Sequence, residues 1–157
     1  MLKIALTFVL ISTASLAYAQ KEPFEITSEA LEISQQKATA VFEQDVNAHY
    51  MDATLNAQKV VVYYKNDGDT LATNSAGQKA IATGNVSIIK GKDKATGDKA
   101  TFDINRDDLV MEGNVTLTRN GTVLKGEKLT YNLKTGDVNV KAENTGRIKA
   151  QFGGKQD

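Results

Sequence analysis

From Phe24 onward, apolar and polar residues alternate with period two along most of the chain, the signature of half-buried β-strands. Leu31-Glu32-Ile33, Val46-Asn47-Ala48 and Phe102-Asp103-Ile104 follow this pattern, as do Val115-Thr116-Leu117 and Leu129-Thr130-Tyr131-Asn132-Leu133. Leu109 and Met111 flank Val110 in the same way. No window of twelve residues carries a helical stripe. Thr27 to Leu31 is the one helix-like patch, with Ser28 as a candidate cap, and it continues into a strand pattern. The fold class expected is all-β.

Turn signals punctuate the strands at regular spacing. Asn120-Gly121 is the strongest, because both residues tolerate the positive φ that a type I′ hairpin turn demands. Asp67-Gly68-Asp69 and Thr135-Gly136-Asp137 mark two further reversals, and Asp107-Asp108 sits at another. The single proline, Pro23, precedes all of them, so no residue after it lacks a backbone donor for a ladder.

The pattern also repeats. Gly97 to Ile104 matches Gly126 to Leu133 at an offset of twenty-nine residues, and the same offset carries Val86 and Ile88 onto Val115 and Leu117. It carries Leu31 and Ile33 onto Val60 and Val62, with extra residues around Lys65 to Ala76 that read as a polar loop or added hairpin. Such a unit cannot bury its apolar face alone. Stacked units share one core and leave two terminal strands unpaired. The alternative is a compact sandwich with accidental similarity.

Composition narrows the setting. Residues 1–19 run from Lys3 through an apolar stretch to Ala17-Tyr18-Ala19, the order of a cleavable signal peptide, leaving 20–157 as a single mature domain. A retained membrane anchor is the competing reading, although the apolar run is short for a bilayer. Nineteen basic and nineteen acidic side chains cancel, so nucleic acid is not an expected partner. Cysteine is absent, so stability must come from burial and backbone pairing.

The Gly-Asp-Lys-type units, the steps Gly84-Asn85-Val86 and Gly113-Asn114-Val115, and the segment Asn56 to Val62 resemble the OstA-like (LptA) family of periplasmic lipopolysaccharide-transport proteins. The likeness runs from Phe24 to Phe152. One departure is Gln44-Asp45-Val46, where a glycine step would stand, which puts the bend there in question but not the strand. The resemblance implies an open, twisted, V-shaped β-jellyroll built from repeated β-hairpins. It implies a periplasmic carrier bridging the inner and outer membranes. It also implies partners: the lipid A portion of lipopolysaccharide, an inner-membrane-anchored protein of the same fold, the N-terminal domain of the outer-membrane assembly protein, and further copies of this chain head to tail.

A lipid with several acyl chains exposes many methylenes, each costing about 0.8 kcal/mol in water, so such a carrier needs an apolar trough. Alternation nominates Leu31, Ile33, Phe42, Val46, Val60, Val62, Ile88, Phe102, Ile104, Leu109, Met111, Val115, Leu117, Leu129, Tyr131 and Leu133 as its lining. The same sixteen residues would equally form a dry core, since every half-buried sheet alternates. The end strands around Phe24 and Ile26, and around Ile148 and Ala150, are candidate assembly edges. The flanking Arg147 and Lys149 fit gatekeepers against pairing just as well.

Catalytic chemistry has little foothold. His49 is the only histidine, no nucleotide loop or metal spacing appears, and Gly84 and Gly113 precede strands, as bulges do. No cofactor is expected. The rival readings are a membrane-anchored sister of the same family, a lipid-free β-solenoid scaffold and, more remotely, a carbohydrate-active β-helix.

Overall fold

The computed structural model describes residues 24–64, 79–142 and 146–152. The signal-like segment 1–19 and the polar stretch Lys65–Ala76, with its Asp67-Gly68-Asp69 turn, lie outside these residues. Ten strands form one antiparallel sheet, and no helix occurs among the described residues. The short strands β1 (Phe24–Thr27) and β2 (Ala30–Ser34) precede six long ones. These are β3 (Thr39–Tyr50), β4 (Ala53–Tyr63), β5 (Lys79–Lys90), β6 (Asp93–Asp103), β7 (Asp108–Arg119) and β8 (Thr122–Asn132). Two more short strands, β9 (Val138–Lys141) and β10 (Lys149–Gln151), complete the chain.

The repeat is one hairpin. β5 and β7 begin twenty-nine residues apart, as do β6 and β8, while β3 and β5 begin forty apart because of the extra residues between β4 and β5. At Asn120 and Gly121 both φ angles are positive, 49° and 76°, so the β7–β8 reversal is the two-residue turn that the sequence signals.

Each long pairing slips near its middle. The shifts fall at Glu43/Val46, Asn56/Lys59, Thr83/Val86, Thr96/Lys99 and Glu112/Val115. These irregularities line up from strand to strand and divide the sheet into two limbs, since a bulge bends its strand and sharpens the local twist. β2 and β9 flank one limb, and β1 and β10 flank the other. The β5 and β7 bends use Gly84-Asn85 and Gly113-Asn114 at positive φ. Gln44 and Asp45 adopt the same conformation, φ 67° and 48°, so the bend forms in β3 without its glycine.

Directly opposed residues share a face of a sheet. One inner row of the first limb is therefore Leu31, Phe42, Val60, Ala82, Ala100, Met111, Leu129 and Val140. In the second limb Ile26, Ala48, Leu55, Ile88, Ala95, Leu117, Leu124 and Ala150 form the matching row. The two inner faces meet in one apolar cluster. The outer face carries cross-strand pairs such as Glu43–Lys59 at 2.7 Å and Glu112–Lys128 at 3.4 Å. All four side chains are about half exposed, so each pair contributes about 0–1 kcal/mol.

Candidate functional site

The interior between the limbs is not uniform. Across β7 and β8 it is filled: Leu109, Met111, Val115, Leu117 and Leu129 are fully buried, and Met111 has no exposed surface at all. Across β3 to β6 the opposing residues are small. Ala48 and Ala53 on one limb face Ala80, Ala82 and Ala100 on the other, and the room they leave is an apolar slot of about 40 Å³. Leu55, Val60, Ile88 and Leu109 complete its apolar walls, and Leu133 closes one corner.

Fourteen of the sixteen nominated lining residues are buried or half-buried members of the cluster, and Leu31 and Ile33 are not. Ile104 is buried in the turn after β6. Leu31 and Ile33 pair with Phe42 and Ala40 and so face inward, yet they remain 54% and 44% exposed because, among the described residues, no strand lies beyond β2. The inner surface therefore continues as bare apolar side chains at the N-terminal edge.

Five alanines, Tyr50 and Leu55 shape the slot without having stood among the candidates. Their signal was legible as small residues at alternating positions, Ala80-x-Ala82 facing Ala100. Alternation marks which face a residue occupies, while the empty volume depends on what stands opposite.

The edges differ from expectation in detail. Phe24 and Ile26 lie on the edge strand β1, but their side chains pack on the cluster. Ile148 precedes β10, and its Cδ1 lies 3.2 Å from the Cβ position of Gly126. Ala150 pairs with Leu124 on the outermost strand and is exposed. β9 pairs with β8 in one limb and β10 pairs with it in the other.

The lip opposite the bends is bridged in two places. At the N-terminal side Phe24, Tyr50 and Phe102 form a ring cluster with centroids 5.1–6.1 Å apart. The Tyr50 hydroxyl donates to Asp107 Oδ1 at 2.5 Å. At the C-terminal side Arg119 donates to Asp93 through Nε at 2.8 Å and Nη2 at 2.5 Å, and to the Gly136 carbonyl at 3.1 Å. Tyr131 also donates to Asp93, at 3.0 Å, and the guanidinium lies 5.5 Å from the Tyr131 ring centre. Arg119 holds the Asp93 carboxyl below its ordinary range against the opposing effect of burial, and Asp93 raises Arg119 in turn. Burial, then Asp93, pushes the Tyr131 phenol up.

Among the described residues no group of three or more acidic, histidine or cysteine side chains gathers where a metal could sit. His49 lies on the outer face, its Nδ1 3.1 Å from Thr54 Oγ1.

Repeated hairpins bent at aligned bulges around an apolar interior together define an open β-jellyroll. The family model described as LptA/(LptD N-terminal domain) LPS transport protein matches residues 25–137, and the chain belongs to that family. An uncharacterized protein of Rhizobium meliloti (strain 1021) is 28% identical over 98 residues, 62% of this chain. The chain spans about half, 53%, of the length of that relative. Among solved structures, LptH of Pseudomonas aeruginosa, described as the LptA homologous periplasmic component of the lipopolysaccharide transport device, superposes with a TM-score of 0.70. It shares 16% identity, over 85% of this chain and 96% of that one, a likeness of fold.

Proposed function

We propose that this chain is a non-catalytic carrier of lipopolysaccharide, holding acyl chains between its limbs while the sugar head stays in water. The supporting observation is the apolar slot between β3 and β6, continuous in register with the bare inner face of Leu31 and Ile33. An acyl chain entering it leaves water at about 0.8 kcal/mol per methylene. Family membership supplies the ligand class. The carrier works in the periplasm after loss of residues 1–19, and hands its cargo along a bridge. An inner-membrane-anchored protein of the same fold stands at one end, and the N-terminal domain of the outer-membrane assembly protein at the other. Copies join head to tail through β1 and β2 of one and β9 and β10 of the next, by strand addition.

The packed interior across β7 and β8 favours a second reading, a lipid-free scaffold. Photo-crosslinking in cells separates the two. A photoreactive side chain at Leu55 or Phe102, in the slot, is expected to capture lipopolysaccharide. Absence of lipid adducts at Leu55, Phe102 and Leu31 alike would replace the carrier by the scaffold.

A further inference from the structure

We infer that the ring cluster of Phe24, Tyr50 and Phe102, fastened by the Tyr50–Asp107 hydrogen bond, is a side gate through which acyl chains enter the slot. The inference rests on the carrier reading and names the access route to the same interior.

Three observations place the gate. Phe24, Tyr50 and Phe102 all line the slot, so they form its wall on the lip side. They come from both limbs. Phe24 is on β1 and Tyr50 ends β3 in one limb, while Phe102 nears the end of β6 in the other, with Asp107 in the turn that follows. Parting the limbs here costs the ring contacts and the Tyr50–Asp107 hydrogen bond, and it breaks none of the pairings of β1, β3 and β6 with their neighbours.

The other half of the lip is unsuited to entry. Two hydrogen bonds cross it, from Arg119 to the Gly136 carbonyl and from Tyr131 to Asp93, while the Arg119–Asp93 pair braces neighbouring strands of one limb, and behind them the interior is filled. An entering chain would meet no space. On the gate side, β1 is anchored by only four residue pairs, all to β3, at the edge of the sheet. Phe24 is its first residue, so the wall stands at the very end of a four-residue edge strand.

Size makes an opening necessary. The slot of about 40 Å³ holds no more than a few water-sized groups, and a lipid with several acyl chains is far larger. The limbs must move apart for such a ligand. The gate is where the least structure resists that movement.

The chain has no cysteine, so a paired substitution can be bridged without side reactions. Tyr50→Cys with Asp107→Cys, joined by a short bismaleimide, holds the limbs together. The probe is rough-type lipopolysaccharide carrying a fluorescent label, mixed with the intact protein while the loading rate is recorded. The bridged protein is expected to load at least tenfold more slowly than the same variant left unbridged. Asp107→Asn, which keeps the rings and weakens the fastening, is expected to load two- to fivefold faster than the parent chain with an unchanged melting temperature. Equal loading rates for bridged and unbridged protein would overturn the gate while leaving the carrier intact. Failure of the parent chain to load at all would remove the carrier reading, and the gate with it.

Discussion

Gly97 gives up the space that Met111 fills: a Cβ at residue 97 would lie 2.6 Å from Met111 Cγ and 3.0 Å from its Sδ. The two residues stand on neighbouring strands beside the line of bends, where the limbs are closest. Gly97→Ala is expected to lower stability by about 1–3 kcal/mol, the usual cost of overfilling a packed interior. Urea unfolding measures it. An unchanged midpoint would show that Met111 repacks freely and that the β6–β7 interior is looser than its burial implies.

The bend at Gln44 leads to a prediction of opposite sign. A side chain in the left-handed region costs about 1–2 kcal/mol, part of which glycine gives back through its greater freedom when unfolded. Gln44→Gly is therefore expected to stabilise the fold by about 0.5–1 kcal/mol. Gly113→Ala, at φ 78° and with its Cβ directed into the Asp98 side chain, is expected to destabilise it. Paired thermal melts test both. If Gln44→Gly proves destabilising, the Gln44 side chain contributes more than its backbone costs.

The Asp93–Arg119 tie predicts a dependence on acid. With Asp93 depressed below its ordinary value of 3.8, its contribution is complete above that pH and is lost as pH falls through the lowered value. At pH 7 Asp93→Asn is expected to be less stable by about 1–2 kcal/mol, since it weakens bonds from Arg119 and Tyr131. The gap between variant and parent should narrow once pH drops below 3.8. Melting temperatures of both proteins from pH 7 to pH 2.5 give the answer, and a gap that widens in acid would refute the assignment.

Leu31 and Ile33 predict an effect on association without one on folding. Their inner-face side chains are exposed, so Leu31→Ser with Ile33→Ser is expected to change stability by less than about 0.5 kcal/mol. Sedimentation velocity should nonetheless show shorter head-to-tail assemblies. Unaltered assembly would mean that backbone pairing alone joins the copies.

Much of the architecture was legible in the pattern of residues. The all-β class, the hairpin repeat and the turn at Asn120-Gly121 each follow from a local rule, period two or a tolerance of positive φ. The bend at Gln44 was less legible, because the glycine that marks it elsewhere is missing. The chain nevertheless bends there, since the aligned bulges of the neighbouring strands impose their register on β3. The alternation around Ile148 predicts an edge strand there, and the strand begins one residue later, at Lys149. Nothing local says where a chain leaving one limb will rejoin the other.

By itself, the amino-acid sequence determined which side of each strand is apolar and how often the hairpin recurs, because side-chain alternation and turn preference act over a few residues. Only the tertiary structure decided that the interior is filled beneath Met111 and hollow beneath Ala82, and that Tyr50 reaches Asp107 across the lip. Those outcomes depend on the volumes and reach of side chains brought face to face from distant parts of the chain, and no property of one strand contains its partner across the core.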